Sequence, residues 1–107
     1  MCCIIAAGAE YRHIAMLKGD VTLLWCNTRS DEVIWTRNTT DGDFSFVYNN
    51  RSIQGRFRRR LSIVGHSLRI YNTKIGDSGC YVCYESDGVQ IFGYDLNVIG
   101  KKMTNNI

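Results

Sequence analysis

The sequence predicts an all-β domain, and three observations carry this prediction. Helical spacing of apolar residues is almost absent. Short segments rich in Val, Ile, Tyr, Phe and Trp recur along the chain, and clusters of Gly, Asn, Asp and Ser separate them as turns. The length of 107 residues suits one domain and the 45% hydrophobic content suits a folded core, so a single β domain is expected.

The predicted strands are short and follow one another closely. Turn sequences such as KGD, NTTDGD and KIGDSG end them, because these residues accept positive φ or hydrogen-bond their own backbone. The sequence SDG at residues 86–88 is a tight hairpin signal. The strands are placed near residues 4–7, 11–17, 20–27, 32–38, 44–49, 60–64, 67–72, 79–85 and 89–98.

The predicted domain covers residues 10–99. Residues 1–9 are interpreted either as a signal-peptide remnant, since their apolar run ends in the small residues AGA, or as a first strand. The polar residues 100–107 are interpreted as a tail or linker. No run approaches the ~18 apolar residues that span a bilayer, so any membrane attachment is expected through a segment outside this chain.

Two cysteines, a tryptophan and a tyrosine have the spacing of an immunoglobulin sandwich. Cys26 ends the apolar segment VTLLWC, and Trp35 follows in DEVIWTR. Cys83 ends DSGCYVC, with Tyr81 two residues before it. In that fold such residues form an inter-sheet disulfide, an indole packed on it and a tyrosine corner. The inward-facing residues Leu24 and Leu68 are expected in the same core.

The chain resembles the V-set immunoglobulin domain over residues 19–98. The segment DSGCYVC matches the D-x-G-x-Y-x-C signature, while RLSI at residues 60–63 and SLRI at residues 67–70 look like the fourth and fifth strand motifs. The segments DVTLLWC and VIWTR look most like V-set receptors of fishes. The 41 residues between Trp35 and Asp77 leave room for the extra edge strands of this type.

This resemblance implies a V-set β-sandwich with two antiparallel sheets and one inter-sheet disulfide. The disulfide would join Cys26 to Cys83 and stabilise the fold by roughly 4 kcal/mol through loop closure. The resemblance also implies an ion pair between Arg60 and Asp77 across the bottom of the sandwich.

Cys80 is the second cysteine of DSGCYVC, and strand alternation places it on the outer face of the sheet. Three interpretations are open. Cys80 forms a second disulfide within the domain, for which Cys2 or Cys3 would be the partner, or it is an interchain disulfide or free thiol, or it serves zinc or redox chemistry. The last fits poorly, since Cys80 and Cys83 would face opposite sides of a strand and no helix N-terminus lowers a thiol pKa.

The outward face of the sheet that holds Trp35 and Cys83 is the predicted partner-binding face. It combines apolar and aromatic residues with few charges, as binding patches do. Shielding by edge strands or glycans is the alternative. The residues assigned to this face are Ile34, Thr36, Phe46, Tyr48, Val82, Tyr84 and Phe92.

Other surfaces offer weaker signals. Trp25 would point outward on the opposite sheet, where either an N-terminal strand covers it or it marks a second contact surface. Within the segment RFRRR at residues 56–60, Arg56, Arg58 and Arg59 would form a basic strip for anionic glycans or a solvated edge. Asn38 and Asn50 begin N-x-[ST] sequons and are candidate glycosylation sites in turns.

Catalytic patterns are missing: the two histidines lie in different strands or turns, and neither belongs to a Ser or Cys nucleophile pattern. No cofactor or metal is expected. A nucleic-acid partner is not expected either, because no basic platform with interleaved aromatic residues is present. The sequence therefore predicts an extracellular ligand-recognition domain of an immune-type cell-surface receptor or adhesion molecule, which binds a protein partner. The alternatives are a soluble secreted decoy or glycan-binding protein, and a homophilic adhesion module that forms homodimers.

Overall fold

The computed structural model describes residues 3–100, and it confirms the all-β prediction. Two sheets pack face to face, and two 3-10 helical turns lie at Gly55–Phe57 and Ile75–Asp77. The strands are β1 (Glu10–Leu17), β2 (Thr22–Leu24), β3 (Val33–Asn38), β4 (Phe44–Asn49), β5 (Ser52–Ile53), β6 (Leu61–Val64), β7 (Ser67–Ile70), β8 (Gly79–Glu85) and β9 (Gln90–Ile99).

The strand order is that of a variable-type immunoglobulin sandwich. The larger sheet has the order β1-β9-β8-β3-β4-β5, and the smaller has the order β2-β7-β6. Strands β4 and β5 extend the larger sheet as the extra edge strands of the variable type. The predicted fold class is confirmed, with one difference: β1 pairs with β9 in parallel, whereas the other pairs are antiparallel.

The strands depart most from the prediction at three places. Residues 4–7 form no strand, and the chain turns at residues 7–8 before β1 begins at Glu10. The predicted strand at residues 20–27 is reduced to β2. Strand β5 lies between the strands predicted at residues 44–49 and 60–64, and its residues Ser52 and Ile53 pair back onto β4.

The core lies between the sheets around Trp35. Cys26 and Cys83 form a disulfide with their Cα atoms 6.4 Å apart, and Trp35 beside it is fully buried with Leu24 and Leu68. Burying the indole leaves its one N–H in need of an acceptor, and this N–H donates to the carbonyl of His66 at 2.8 Å. Apolar burial and a satisfied donor therefore both stabilise the centre of the domain.

The bottom of the sandwich is closed by polar contacts. Arg60 donates two hydrogen bonds to the carboxylate of Asp77, each at 2.7 Å. The Asp77 carboxylate also accepts from the Lys74 backbone N–H at 2.7 Å. The hydroxyl of Tyr81 donates to the Asp77 carbonyl at 2.5 Å, which is the tyrosine-corner contact.

These contacts change the pKa values of both acidic groups. Burial alone would raise the pKa of Asp77, but the hydrogen bonds from Arg60 and the Lys74 backbone outweigh it and lower that pKa. Burial raises the pKa of Tyr81 to about 12. The carboxylate is therefore held charged, and the phenol is held neutral.

Candidate protein-binding face

The outer face of the larger sheet follows from the strand registers. Residues that face one another across neighbouring strands lie on the same side of the sheet. Thr36 of β3 faces both Phe46 of β4 and Val82 of β8, while Ile34 faces Tyr84. These side chains therefore share the outer face, as the alternation of residues in a strand predicts.

An N-terminal strap, residues 3–7, lies over part of this face. Cys3 of the strap forms a disulfide with Cys80, their Cα atoms are 5.3 Å apart, and both residues are buried. Cys80 thus points to the outer face and is joined within the domain, which is the first of the three interpretations given above. Cys2, the other suggested partner, lies outside the described residues.

Further contacts hold the strap in place. The backbone N–H of Ala6 donates to the side chain of Gln90 at 2.7 Å, and the amide of Gln90 donates to the Ile4 carbonyl at 3.5 Å. Ile5 lies on Gly93 of β9, where an added Cβ would be only 2.2 Å from its Cδ1 atom. The absence of a side chain at residue 93 leaves the space that the end of the Ile5 side chain occupies.

Two residues of the predicted face are not accessible. Val82 packs in a small cluster with Cys3, Cys80 and the strap residue Ile5, and it is only 3% exposed. Thr36 is also 3% exposed. Both residues lie on the predicted side of the sheet, but their burial keeps them from contacting a partner, and the strap accounts for that of Val82.

Two other residues of the predicted face point to the opposite side. Phe92 faces Cys83 across the sheet and stacks on Tyr94, with ring centroids 6.2 Å apart, so it lines the core. Tyr48 faces Trp35 and also packs on the core. For Tyr48 the reason is local: the register of β3 and β4 shifts after Trp35, and a bulge breaks the alternation on which the prediction depended. Phe92 points inward by the ordinary alternation of β9, which it shares with the core residues Tyr94 and Leu96.

The most exposed part of the face is a phenylalanine patch, formed by Phe44 and Phe46 and taken to include Ile34 on the same face of β3. Phe44 is 51% and Phe46 45% exposed, and their rings meet edge to face with centroids 5.5 Å apart. Ile34 is half-buried, as is Tyr84, which faces it across β3 and β8. The sequence analysis did not select Phe44, although its spacing of two residues from Phe46 places both on one face.

Charged groups border this patch. Arg56 donates to the hydroxyl of Ser45, forms an ion pair with Asp43 at 3.7 Å and lies over the ring of Phe57. Since its charge is already matched by Asp43, the predicted basic strip consists in practice of Arg58 and Arg59. The rim of the patch is polar, as is typical around interface cores.

The two sequons differ in their surroundings. Asn38 is the last residue of β3 and is half-buried, so it lies in a strand and not in the predicted turn. Asn50 is exposed in the turn between β4 and β5, with φ at 52°. Glycosylation of either residue stays a prediction.

Metal-binding clusters and membrane-spanning helices were sought among the described residues. Residues 3–100 contain no cluster of three or more His, Cys, Asp or Glu side chains able to hold a metal ion. His13 is exposed and meets Asp95 at 3.1 Å. None of the helices in the same range has the length and apolar character needed to cross a membrane.

Comparison with known proteins agrees with the fold. No family model matches the chain. Interference hedgehog of Drosophila yakuba and of Drosophila melanogaster are each 33% identical to it over 45 residues, which is 41% of this chain and 5% of the relative. The chain thus matches only a small part of these relatives.

Solved structures match over nearly the whole chain. The extracellular fragment of novel immune-type receptor 11 from Ictalurus punctatus has a TM-score of 0.71 at 19% identity, covering 90% of each chain. The extracellular domain of the voltage-gated sodium channel beta4 subunit has a TM-score of 0.70 at 16% identity, covering 98% of each. The first immunoglobulin domain of the mouse polymeric immunoglobulin receptor has a TM-score of 0.67 at 16% identity, covering 86% of this chain and 93% of the other. The chain has the immunoglobulin fold.

Proposed function

We propose that this chain is the extracellular recognition domain of a cell-surface receptor or adhesion protein, and that it binds a protein partner through the phenylalanine patch. The patch is the observation that carries the proposal. Phe44 and Phe46 are large, exposed and in mutual contact on a face of which the strap covers another part. Exposed aromatic residues with a polar rim are typical of protein interfaces.

The fold and its disulfides support an extracellular location. Two disulfides within one small domain are typical of oxidising compartments. Both the sodium channel beta4 subunit and novel immune-type receptor 11 are represented among similar structures by extracellular parts. A fold by itself does not define a ligand, so the patch and not the fold assigns the binding role.

The construction of the sheet favours the patch as an energetic centre. Phe46 faces Thr36, whose strand pairs with β8, and β8 carries both disulfides at Cys80 and Cys83. A rigid support lowers the entropy lost on binding. Truncating one clustered aromatic residue at an interface commonly costs about 2 kcal/mol or more of binding free energy.

The test is the binding of multimers of the chain to arrayed cell-surface ectodomains. Phe46→Arg should abolish the binding that the unmodified multimer shows, because it places a charge at the centre of the patch. Ile75→Arg is the matched control, since Ile75 is also an exposed apolar residue but lies at the bottom of the sandwich. Binding that survives Phe46→Arg and Phe44→Arg together would assign the function to another surface.

Homophilic adhesion is the second candidate. The solved beta4 structures are parallel homodimers said to explain a role of that subunit in cell-cell adhesion. The discriminating experiment is aggregation of beads coated with this chain alone. Aggregation that Phe46→Arg prevents would make the partner of the patch a second copy of the chain, whereas dispersed beads would leave a different protein as the partner.

A further inference from the structure

Strand β2 forms an open edge of the smaller sheet. The order of that sheet is β2-β7-β6, so β2 has a neighbour on one side only among the strands that the structure describes. Strand β1 precedes it in the chain but pairs with β9 of the other sheet. The strap is held on the far face of that other sheet by Cys80. No described segment therefore pairs with the outer edge of β2.

Backbone contacts show which residues direct their N–H and C=O groups toward β7, the paired side of β2. The N–H of Cys26 donates to the hydroxyl of Ser67 at 3.1 Å, on the side of β7. The carbonyl of Asp20 accepts from the N–H of Thr73 at 2.9 Å, on the same side. Since the backbone groups of successive residues point to alternate edges, the even-numbered residues of this segment face β7.

The odd-numbered residues Val21, Leu23 and Trp25 therefore direct their N–H and C=O groups to the open edge. The carbonyl of Trp25 agrees with this, because it accepts from the hydroxyl of Tyr94 across that edge at 2.5 Å. A carbonyl oxygen has two lone pairs and can accept a second bond. The edge thus presents a short ladder of backbone donors and acceptors.

The same three residues send apolar side chains to the outer face. Trp25 is 64% exposed, Val21 is 53% exposed and Leu23 is half-buried. The segment VTLLWC at residues 21–26 carries no charge, although Glu10 and Arg12 of β1 line the groove beside Leu23 and Trp25. Proteins commonly protect free edges with charges on the edge strand itself, so the uncharged strand β2 has the character of a docking strand.

We propose that the open edge of β2 pairs with the same edge of a second copy of this chain. The two strands run antiparallel across a twofold axis at Leu23, and the two smaller sheets become one continuous sheet. Val21 then faces Trp25 of the partner subunit, and each Leu23 faces the other. A twofold axis makes an edge complementary to itself, since every donor meets an acceptor.

The composition of the strand fits this occupant. An aromatic residue opposite a β-branched residue is a favourable cross-strand pair, and no like charges face each other in residues 21–25. The contact lies on the opposite sheet from the phenylalanine patch, so it is independent of the proposed function. Loss of one surface should leave the other intact.

The first test is sedimentation of the full, disulfide-bonded chain over a range of concentrations. The unmodified chain should show a reversible dimer, and Val21→Lys should weaken it by at least about tenfold, because the introduced charge faces an apolar partner. Val89→Lys is the matched control: Val89 is 55% exposed, close to the 53% of Val21, but lies beside the hairpin at the tip of the larger sheet. It should leave dimerisation unchanged.

The second test fixes the register. Residues in a hydrogen-bonded antiparallel pair have Cα atoms about 5.5 Å apart, within the range of a disulfide. Leu23→Cys should therefore give a covalent dimer linked only at residue 23, whereas Val89→Cys should not. Combining Val21→Lys with Trp25→Glu places opposite charges across the axis and should restore the dimer.

Three results would overturn the proposal. The first is a monomer at every concentration together with no cross-link from Leu23→Cys. The second is a dimer that Val21→Lys does not weaken. The third is a dimer in solution from which Leu23→Cys gives no cross-link, which would place the contact on another surface.

Discussion

Ile5 of the strap lies directly on the backbone of Gly93, at a point where any side chain on residue 93 would collide with it. Gly93 faces Val82 across β8 and β9, so it belongs to the outer face of the sheet. The missing side chain is what lets the strap approach the sheet and cover Val82. This contact decides which part of the face a partner can reach.

Gly93→Ala should displace the Ile5 side chain and loosen the strap, which the Cys3–Cys80 disulfide still holds to the sheet. The added Cβ would lie 2.2 Å from the Cδ1 atom of Ile5, so one of the two groups must move. The hydrogen bond from the Ala6 N–H to Gln90 should then break, and hydrogen exchange at Ala6 should become at least about tenfold faster. Gly55→Ala, where an added Cβ meets open space, is the control. Unchanged protection of Ala6 would show that the strap adapts to the methyl group.

The ion pair between Arg60 and Asp77 should make the free energy of unfolding depend on pH in the acidic range. The pKa of Asp77 is lowered in the folded state, so its contribution to the free energy of unfolding is complete above the unfolded value of about 3.9 and is lost as the pH falls through the folded value. Asp77→Asn should cost about 2 kcal/mol at pH 7, and the difference from the unmodified chain should shrink below about pH 4.

The measurement is chemical denaturation at a series of pH values. Asp31→Asn is the control, because Asp31 is an exposed acid between β2 and β3 and should change little at either pH. An Asp77→Asn difference that stays constant between pH 7 and about pH 2.5 would contradict the assignment.

The tyrosine corner should be visible in alkaline titration. Burial raises the pKa of Tyr81 to about 12, so its phenol should stay neutral at a pH where exposed tyrosines have ionised. The unfolded chain would release this proton near pH 10, so the stabilising effect of a neutral Tyr81 is complete below about pH 10 and is lost as the pH rises toward 12. Burial also raises the pKa of Tyr94, so ultraviolet difference spectra at pH 11 should show fewer ionised tyrosines than the composition gives, and Tyr81→Phe should remove the latest step.

The same variant tests the structural role of the hydroxyl group. Tyr81→Phe leaves the buried carbonyl of Asp77 without this donor and should lower the free energy of unfolding by about 1 to 2 kcal/mol. Tyr71→Phe, at an exposed residue, should leave stability unchanged. Equal stabilities for all three proteins would show that the corner contact contributes nothing.

The sequence was sufficient for the features that depend on spacing along one strand. The alternation of β2 places Thr22, Leu24 and Cys26 inward, and all three are buried. The turn at residues 74–79 and the hydrophobic strand β8 that follows it identify Tyr81 and Cys83 as inward-facing residues. Each of these assignments needs only local geometry, which the order of residues specifies.

The sequence was not sufficient where two strands must be aligned or where a segment leaves the sheet. Tyr48 was misplaced because the bulge near Trp35 arises from the pairing of β3 with β4. The strap was taken as a strand or a signal-peptide remnant, since its short apolar run has no period that distinguishes a strand from a segment lying across a sheet. Cys80 and Gly93 together indicate where the strap lies, but only the register of β8 with β9 shows that both residues belong to one face of the sheet.

The two disulfides should differ in their effect on stability, although they close loops of similar length. Their sequence separations are 57 for Cys26–Cys83 and 77 for Cys3–Cys80, and loop closure alone would give each about 4 kcal/mol. Replacing Cys26 and Cys83 by alanine also removes packing beneath Trp35, so it should cost at least that much or prevent folding. Replacing Cys3 and Cys80 by serine should cost clearly less, because the freed strap regains conformational entropy in the folded state.

Denaturation of the two double variants, with the unmodified chain alongside, measures this difference. Peptide mapping of the unmodified chain under non-reducing conditions should first show Cys3 linked to Cys80. The strap variant should also bind a hydrophobic dye more strongly, because its release exposes Val82 beside the phenylalanine patch. A loss of stability as large as that of the core variant would mean that the strap is an integral layer of the sandwich, and the accessible binding face would then be limited permanently to Phe44, Phe46 and Ile34.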